Sequence, residues 1–448
     1  MNFSRKIILS GMVAALVSGA ALAKVPPEVA AKLGDSLTPI GAEKAGNAEG
    51  TIPAWNGGLK DVPSGDGLVS PFPDEQPTFV IDQSNVDQYA DKLSDGQVAM
   101  IRKYDTYKIP VYETHRTSAY EEEIYEVAKQ NALNTELVPG GNGLEDFEKA
   151  FAFPIPGSGL EVVWNHITRW RGGSMTRRMA QVTPLQNGSF TPVIFEEAMV
   201  SPTELTDYDP KEQDNILLYF KQSIESPSRL AGNVLLVHET INQVKEGRRA
   251  WMYNSGQRRV RRAPQVAYDG PGTAADGLRT TDNFDMFSGA PDRYNWKLIG
   301  KKEMYIPYNS YELLNSELTY DDVVKPGHLN QDLARYELHR VWHVEATLKD
   351  DARHVYGKRV MYFDEDTWNA SVIDHYDGRG ELWRVAESHN VYGYENKVPF
   401  SAVEALYDLL SGRYLALGLT IDVDDPYQYD IRRSSNDFTP AALRRQGR

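Results

Sequence analysis

Long segments in which apolar and polar residues alternate fill the middle of the chain, and they constrain its fold more than any other feature. The segment 336–349 alternates most regularly. Successive side chains of a β-strand point to opposite faces, so a period of two predicts a strand with one apolar face and one polar, solvated face. The apolar face of this strand contains Leu338, Trp342, Val344, Ala346 and Leu348.

A second alternating segment, 295–306, places Trp296, Leu298, Met304 and Ile306 on one face of a predicted strand. Further strands are predicted at 159–169, 174–182, 190–199, 217–225, 229–240, 355–363, 372–376 and 381–388. A succession of half-buried antiparallel strands favours one sheet over alternating β-α-β units. The predicted fold class is therefore mainly β with helices (α+β), built as a large curved antiparallel sheet or an open half-barrel.

Helices are predicted on either side of these strands, where we expect them to cover the mouth of the sheet. One spans 118–133 and begins with a capping box of Ser118 and Glu121. Another spans 401–410, where Ser401 and Glu404 form a similar box. The expected regions are 24–143, loop-rich and helical and packed on the sheet; 144–400, the open antiparallel β-barrel domain; and 401–448, a C-terminal helix and polar tail.

The N-terminus has the pattern of a secretory signal peptide. Arg5 and Lys6 precede an apolar run over 7–22, which ends in a small-residue motif at Ala23. We expect cleavage of 1–23 after Ala23 and export to a bacterial periplasm. The chain contains no cysteine, so no disulfide and no N-terminal lipid can anchor it, and its stability must rest on its core.

The charge is negative overall and positive in one place. The formal net charge is −15, and loss of the two basic residues of the leader makes it −17, which argues against nucleic acid as a partner. Two β-type runs, 248–253 and 257–262, flank Asn254-Ser255-Gly256 and predict a hairpin with Trp251 and Tyr253 on one face. Four of its arginines form a predicted docking surface for an anionic partner; the alternative is a solvated strand face paired with carboxylates. These arginines are Arg258, Arg259, Arg261 and Arg262.

Sequence motifs for catalysis and for metal binding are absent from the mature chain. It lacks Gly-x-Ser-x-Gly, Ser-x-x-Lys, the dinucleotide fingerprint and the phosphate-binding loop. His339 and His343 would lie about 13 Å apart on a strand, too far to share one ion. The acidic runs 364–366 and 422–425 are interpreted as solvated turns, with calcium as the alternative. We therefore expect no enzyme activity, no cofactor and no metal site.

Three segments resemble a known family of exported Gram-negative proteins. They are 36–59 (SLTPIGAEKAGNAEGTIPAWNGGL), the arginine hairpin, and 283–309 (NFDMFSGAPDRYNWKLIGKKEMYIPYN). The family is a domain of unknown function related to the outer-membrane lipoprotein-sorting proteins of the LolA/LolB type, and the resemblance covers nearly the whole mature chain. It implies a half-open antiparallel β-barrel plugged by helices, an apolar concave surface and a gene neighbourhood that often contains efflux-type membrane transporters. It supplies no catalytic residues.

These observations predict a periplasmic carrier or adaptor that binds a hydrophobic or lipid-like ligand and exchanges it with a membrane partner, such as an efflux-type transporter or an outer-membrane protein. The 25 Tyr and 8 Trp also fit the alternative, an exported carbohydrate-active enzyme or sugar-binding protein with an aromatic-lined cleft. Such an enzyme needs two carboxylates that face each other. The predicted ligand-binding residues are Trp251, Tyr253, Trp296, Leu298, Met304, Trp342, Val344 and Leu348.

Overall fold

A computed structural model describes residues 24–446 apart from 65–67, 264–265, 267, 422 and 424. The predicted signal peptide, 1–23, and part of the acidic run 422–425 lie outside the described residues. Within the described ranges, no helix combines the length and the apolar character that crossing a bilayer requires.

The α-helices of the described residues are few and mostly short. They are α1 (Pro27–Ala30), α2 (Asp95–Lys103), α3 (Glu122–Asn134), α4 (Gly159–Thr168), α5 (Pro210–Gln213), α6 (Tyr320–Val323) and α7 (Pro440–Gln446).

The strands dominate the fold. The first nine are β1 (Phe79–Ile81), β2 (Ile109–Val111), β3 (Glu136–Leu137), β4 (Leu144–Glu145), β5 (Ser174–Val182), β6 (Val193–Val200), β7 (Ile216–Ser226), β8 (Val234–Thr240) and β9 (Arg249–Asn254). The others are β10 (Arg259–Arg262), β11 (Tyr294–Pro307), β12 (Tyr336–Leu348), β13 (Lys358–Asp364), β14 (Ala370–Tyr376), β15 (Leu382–Gly393), β16 (Val398–Asp408), β17 (Tyr414–Leu419) and β18 (Tyr427–Tyr429).

One sheet contains 16 of these strands, and β3 and β4 form a separate pair. The main sheet runs β11-β12-β13-β14-β15-β16-β17-β5-β6-β7-β8-β9-β10, with β2 and β1 added at one end of β12 and β18 beside β5. All pairs are antiparallel except the single contact between β2 and β12. The edge strands β10 and β11 are not paired with each other, so the sheet is open. The predicted fold class is confirmed.

The inner face of the sheet, which we define by Met179, Phe195, Val344 and Leu406, surrounds α4. Residues of β5 to β7 and of β12 to β17 pack with this helix into one core. Nine of the ten residues of α4 are buried, and the Trp164 side chain is completely enclosed. Because strands from both halves of the sheet contact one short helix, the sheet must curve around it.

The opposite, outer face is also covered. Met100 and Ile101 of α2 pack there with Val385 and Tyr407 in a second core. Gly96 allows this contact, since a Cβ at that position would lie 2.2 Å from Oδ1 of Asp374. Most strands therefore have both faces buried.

The prediction of a solvated face on β12 is wrong over its first half. His339 and Val341 are buried on the outer face, and only Thr347 near the end of the strand is exposed. The alternation of polar and apolar residues is real, but the N-terminal region and neighbouring side chains cover the polar positions.

The strand predicted at 159–169 is wrong: this segment is α4. Ser158 caps the helix, because its hydroxyl accepts a hydrogen bond from the backbone N–H of Glu161 at 3.3 Å. A helix that is buried on all sides lacks the one-sided apolar stripe that marks an amphipathic helix. The run of Val162, Val163 and Ile167 therefore resembles a strand in sequence.

The helix predicted at 401–410 is also wrong, because this segment belongs to β16. Its backbone pairs with β15 on one side and with β17 on the other. Apolar residues on both faces obscure the period of two, and the Ser401 and Glu404 spacing matches a capping box by coincidence. The helix predicted at 118–133 is confirmed as α3, but it begins at Glu122 and has no side-chain cap.

The face predicted for Met304 is wrong because β11 contains a β-bulge. The register with β12 shifts between Leu298 and Gly300, so one extra residue is inserted. Trp296 and Leu298 lie on the inner face, whereas Met304 lies on the outer face with Val341. A shift of one residue moves every later side chain to the other face.

The pH dependence of stability gives a test of this buried outer layer. His389 of β15 is fully buried, and among described residues neither ring nitrogen has a hydrogen-bond partner. Burial lowers the pKa of His389 to about 3, compared with about 6.5 in an unfolded chain. Because the folded-state pKa is depressed, the unfolded chain binds a proton at His389 more readily than the folded protein does. The free energy of unfolding is therefore highest above about pH 6.5 and falls as the pH is lowered toward 3.

Between about pH 6 and 4, we expect His389→Leu to flatten the pH dependence of the unfolding free energy by up to about 1.4 kcal/mol per pH unit. Urea unfolding of both proteins at several pH values measures this slope. Equal slopes for the variant and the wild type would contradict the account of this layer.

Candidate functional site: an apolar pocket on the inner face

A pocket lies on the inner face beyond the end of α4, between the strands β6 to β8 and the loop 263–293. It encloses about 770 Å³ of space free of protein atoms, open solvent at its mouth included. Phe220, Leu235 and Val237 form its wall on the sheet side, and Phe284 of the loop faces them. The Phe220 and Phe284 ring centroids are 5.1 Å apart. The pocket is thus lined mainly by apolar and aromatic groups, as ligand sites commonly are.

The period of two in β7 and β8 explains this wall. Phe220 pairs with Val237, and Gln222 pairs with Leu235, so their side chains share the inner face. A bulge between Ile216 and Leu218 breaks the alternation, and Leu217 and Leu218 both line the pocket.

A strained segment of the loop lies next to α4. Asp285 and Met286 have φ angles of 54° and 61°, which non-glycine residues seldom adopt. The ring of His166 holds this segment: Nδ1 accepts from the backbone N–H of Ala370 at 3.1 Å, which leaves Nε2 to donate to the Asp285 carbonyl at 2.9 Å. Burial lowers the pKa of His166 to about 3, so the ring is neutral.

Three ion pairs set the charge at the rim of the pocket. Arg171 binds the Asp285 carboxylate through Nε at 3.1 Å and through a terminal nitrogen at 2.8 Å. Arg169 contacts the other oxygen of the same carboxylate. Burial opposes ionisation of Asp285, but the two guanidinium groups outweigh it and hold the pKa of this carboxyl well below its ordinary range. On the sheet side, Arg248 pairs with Glu239.

A second, more polar pocket adjoins the first and shares Met199 and Phe284 with it. It encloses about 490 Å³, and Phe400 and Tyr427 line it, with ring centroids 4.7 Å apart. Phe284 therefore lies between the two pockets and lines both.

Four of the predicted ligand-binding residues lie on the inner face but beneath α4. Trp296, Leu298, Trp342 and Val344 pack against the core around this helix. Gly159 brings α4 so close that a Cβ there would lie 2.9 Å from the backbone nitrogen of Leu298.

The other four lie elsewhere. Trp251 and Tyr253 pack on the outer face, Met304 is buried on the outer face, and Leu348 is half-buried at the end of β12. None of the eight lines the pocket described above, and their ligand-binding role stays a prediction. The alternation in β7 and β8 was a sequence signal for the apolar sheet-side wall, but the loop residues that complete the pocket had no such signal.

The arginine hairpin is confirmed as β9 and β10, with Arg261 opposite Met252. Its six arginines divide into two groups. Arg248 is buried at the pocket, and Arg249 pairs with Glu246 at 3.3 Å. The four residues predicted to dock a partner are exposed at the sheet edge, and none of them forms an ion pair with a described carboxylate. They are Arg258, Arg259, Arg261 and Arg262.

One cluster has the side chains of a metal site. Ligand atoms of His339, Asp364 and Asp366 lie within 4.8 Å of one another, and all three residues are buried, so the predicted solvated turn at 364–366 is wrong. Two guanidinium nitrogens of Arg116 bind the Asp366 carboxylate at 2.8 and 2.7 Å, and His339 contacts Glu337 at 3.1 Å. Burial raises the pKa of Asp364 to about 7. Asp366 thus already has a cationic partner within the chain, which favours a structural role.

Comparison with known proteins places the chain in a family. The model of a family described as protein of unknown function (DUF1329) matches residues 80–444. An uncharacterized protein of Pseudomonas aeruginosa is 60% identical over 453 residues, which cover 100% of both chains.

Solved structures share a weaker similarity. An outer membrane lipoprotein-sorting protein domain from Vibrio parahaemolyticus gives a TM-score of 0.44 at 14% identity, over 64% of this chain and 98% of its own. A DUF1329 family protein from Desulfovibrio piger gives 0.42 at 14%, over 64% and 97%. A LolA superfamily protein from Nitrosomonas europaea gives 0.37 at 13%, over 63% and 98%. The family resemblance seen in the sequence is confirmed by the match over 80–444: the chain belongs to the DUF1329 family of proteins of unknown function.

Proposed function

We propose that this protein is a periplasmic carrier or adaptor that holds a hydrophobic or lipid-like ligand on the inner face of its open sheet and exchanges it with a membrane partner. The observation that carries the proposal is the apolar pocket between β6 to β8 and the loop 263–293. A ligand that hides about 300 Å² of apolar surface gains roughly 7 kcal/mol before the costs of association. Reversible holding therefore needs no covalent step.

The state of the pocket carboxylates argues against the carbohydrate-active alternative. Glu239 and Asp285 both line the pocket, but each is bound to an arginine. A glycoside hydrolase needs one protonated carboxyl group and one free carboxylate. An ion-paired Asp285 whose pKa is held low cannot serve as the acid.

The exposed arginines of the hairpin suit the exchange step. Arg258 and Arg261 belong to a local positive surface on a strongly negative chain. Met252 on the neighbouring strand is 40% exposed beside them. Cationic side chains attract the anionic head groups of a membrane, and an apolar neighbour can contact the lipid beneath them. We propose that this edge of the sheet faces the membrane that contains the transporter or outer-membrane partner.

The pocket is tested by placing a charge in its wall. Leu235 is half-buried, so Leu235→Asp should leave the protein folded. We expect it to weaken binding of a hydrophobic fluorophore by roughly tenfold or more, because the ligand would desolvate a carboxylate. Fluorescence titration measures the affinity, and circular dichroism checks the fold.

Two matched variants make this test specific. Leu410→Asp, at a side chain that is 71% exposed, should not change the affinity. Trp342→Asp tests the binding surface predicted from the sequence. If Trp342→Asp abolishes uptake and Leu235→Asp leaves it unchanged, the pocket is not the binding site.

The arginine edge is tested by charge reversal. We expect the double change Arg258→Glu and Arg261→Glu to move the melting temperature little, because exposed charges contribute little to stability. Association with anionic vesicles should slow, and the wild-type rate should fall with added salt. Co-sedimentation and stopped-flow mixing measure the association. A conservative Arg258→Lys and Arg261→Lys pair should retain it.

A buried arginine of the same hairpin is the contrasting control. Arg248→Met leaves Glu239 buried without its partner and should destabilise the protein by about 3–5 kcal/mol. A large loss of stability in the Arg258 and Arg261 double variant with unchanged vesicle binding would contradict the docking proposal.

A further inference from the structure

Arg279 lines the pocket and differs from every other arginine there. The residue is 3% exposed, and its guanidinium carbon lies 5.3 Å from the Phe284 ring centroid. Among the residues that the structure describes, its side chain makes no ion pair and no hydrogen bond, and its Nε is buried without a partner. A charged group buried almost completely in an apolar wall thus lacks a direct ion-pair partner.

The other two arginines that line the pocket each have an ion-pair partner. Arg171 makes contacts with Asp285 and with backbone carbonyls. Arg248 contacts Glu239 and donates to the Val266 carbonyl at 3.0 Å. Nε of Arg248 is also buried without a partner, but the terminal nitrogens of Arg248 are bound. Among the described residues, the Arg279 side chain has neither an ion pair nor a hydrogen bond.

The nearest carboxylates already have other partners. Glu197 binds Arg177 at 2.5 Å and accepts from Gln222 at 2.6 Å. Glu404 accepts the backbone N–H of Met286 at 3.1 Å. Their charges reach Arg279 only beyond ion-pair distance, and burial lowers the pKa of Arg279. An arginine stays charged at neutral pH in proteins, so Arg279 places at the pocket a positive charge that no described carboxylate binds directly.

The backbone holds Arg279 in this position. The Gly272 N–H donates to the Arg279 carbonyl at 2.9 Å, and Pro271 and Thr280 form an isolated β-bridge beside it. A Cβ at Gly272 would lie 3.2 Å from the guanidinium carbon. The absence of a side chain at Gly272 thus provides the space that the Arg279 guanidinium occupies beside the pocket.

We propose that the ligand is an anionic amphiphile, whose single carboxylate or phosphate group pairs with the Arg279 guanidinium while its hydrocarbon part lies against Phe220, Leu235 and Val237. The inference rests on the carrier function proposed above and specifies the chemical class of its ligand. A guanidinium binds both oxyanions with two parallel hydrogen bonds, and such charge-assisted pairs are strong away from water.

The test compares three probes that share one hydrocarbon chain: hexadecanoic acid, hexadecyl phosphate and hexadecan-1-ol. Their affinities for the full mature chain are measured at about pH 8 by displacement of a bound fluorophore. We expect at least one acidic probe to bind wild-type protein roughly tenfold more tightly than the alcohol. The better of the two acids identifies the head group as carboxylate or phosphate.

Variants then assign the preference to one residue. Arg279→Met should abolish the preference for the acids and leave the affinity for the alcohol nearly unchanged, whereas Arg279→Lys should retain part of the preference. Arg261→Met, at the exposed edge, controls for general electrostatic attraction and should keep the wild-type preference. Arg279→Met should also unfold no more easily than wild type, because it removes a buried charge that has no ion-pair partner.

The outcomes separate the two proposals. If wild-type protein binds the acids and the alcohol equally, or if Arg279→Met keeps the preference, the assignment to Arg279 is overturned while the carrier function stands. If none of the three probes binds, the carrier function is overturned and the ligand assignment with it.

Discussion

The packing of α4 into the inner face of the sheet is the interaction on which the rest of the structure depends. Trp164 and its neighbours fill the space that a sheet of this size would otherwise leave open. Because the helix ends at Thr168, the core stops there, and β6 to β8 continue beyond it with their apolar inner face uncovered. The candidate site is thus the part of the inner face that the helix does not reach.

Buried polar contacts fix the N-terminal region to this sheet in a chain without cysteine. Arg116 binds Asp366 with two hydrogen bonds, and the Trp368 indole donates to the Ile40 carbonyl at 3.0 Å. A buried ion pair contributes little net stability, but loss of one partner is costly. Such pairs therefore specify one arrangement of the segment. At the pocket, the same chemistry neutralises Asp285 and Glu239 and leaves Arg279 as the one charged group without an ion-pair partner among the described lining residues.

The sequence was most informative where one face of an element is apolar and the other is polar. The hairpin of β9 and β10, the strand β12 and the open α+β sheet were all predictable from local periodicity. The sequence was misleading where all sides of an element are buried. The sequence pattern of α4 is like that of a strand, and the pattern of β16 is like that of a helix. The face of Met304 depended on a bulge that no local pattern shows. The pocket could not be derived either, because it depends on where α4 ends and on how the loop carrying Arg279 and Phe284 folds back.

Mass spectrometry of the material that co-purifies with the protein tests the central claim most directly. The mature chain and its Leu235→Asp variant would be isolated from the native host without detergent and extracted with organic solvent. The account predicts a near-stoichiometric amphiphile with an acidic head group in the wild-type extract and its loss from the variant. Extracts that contain no hydrophobic compound, or the same compound at the same level in both proteins, would contradict it.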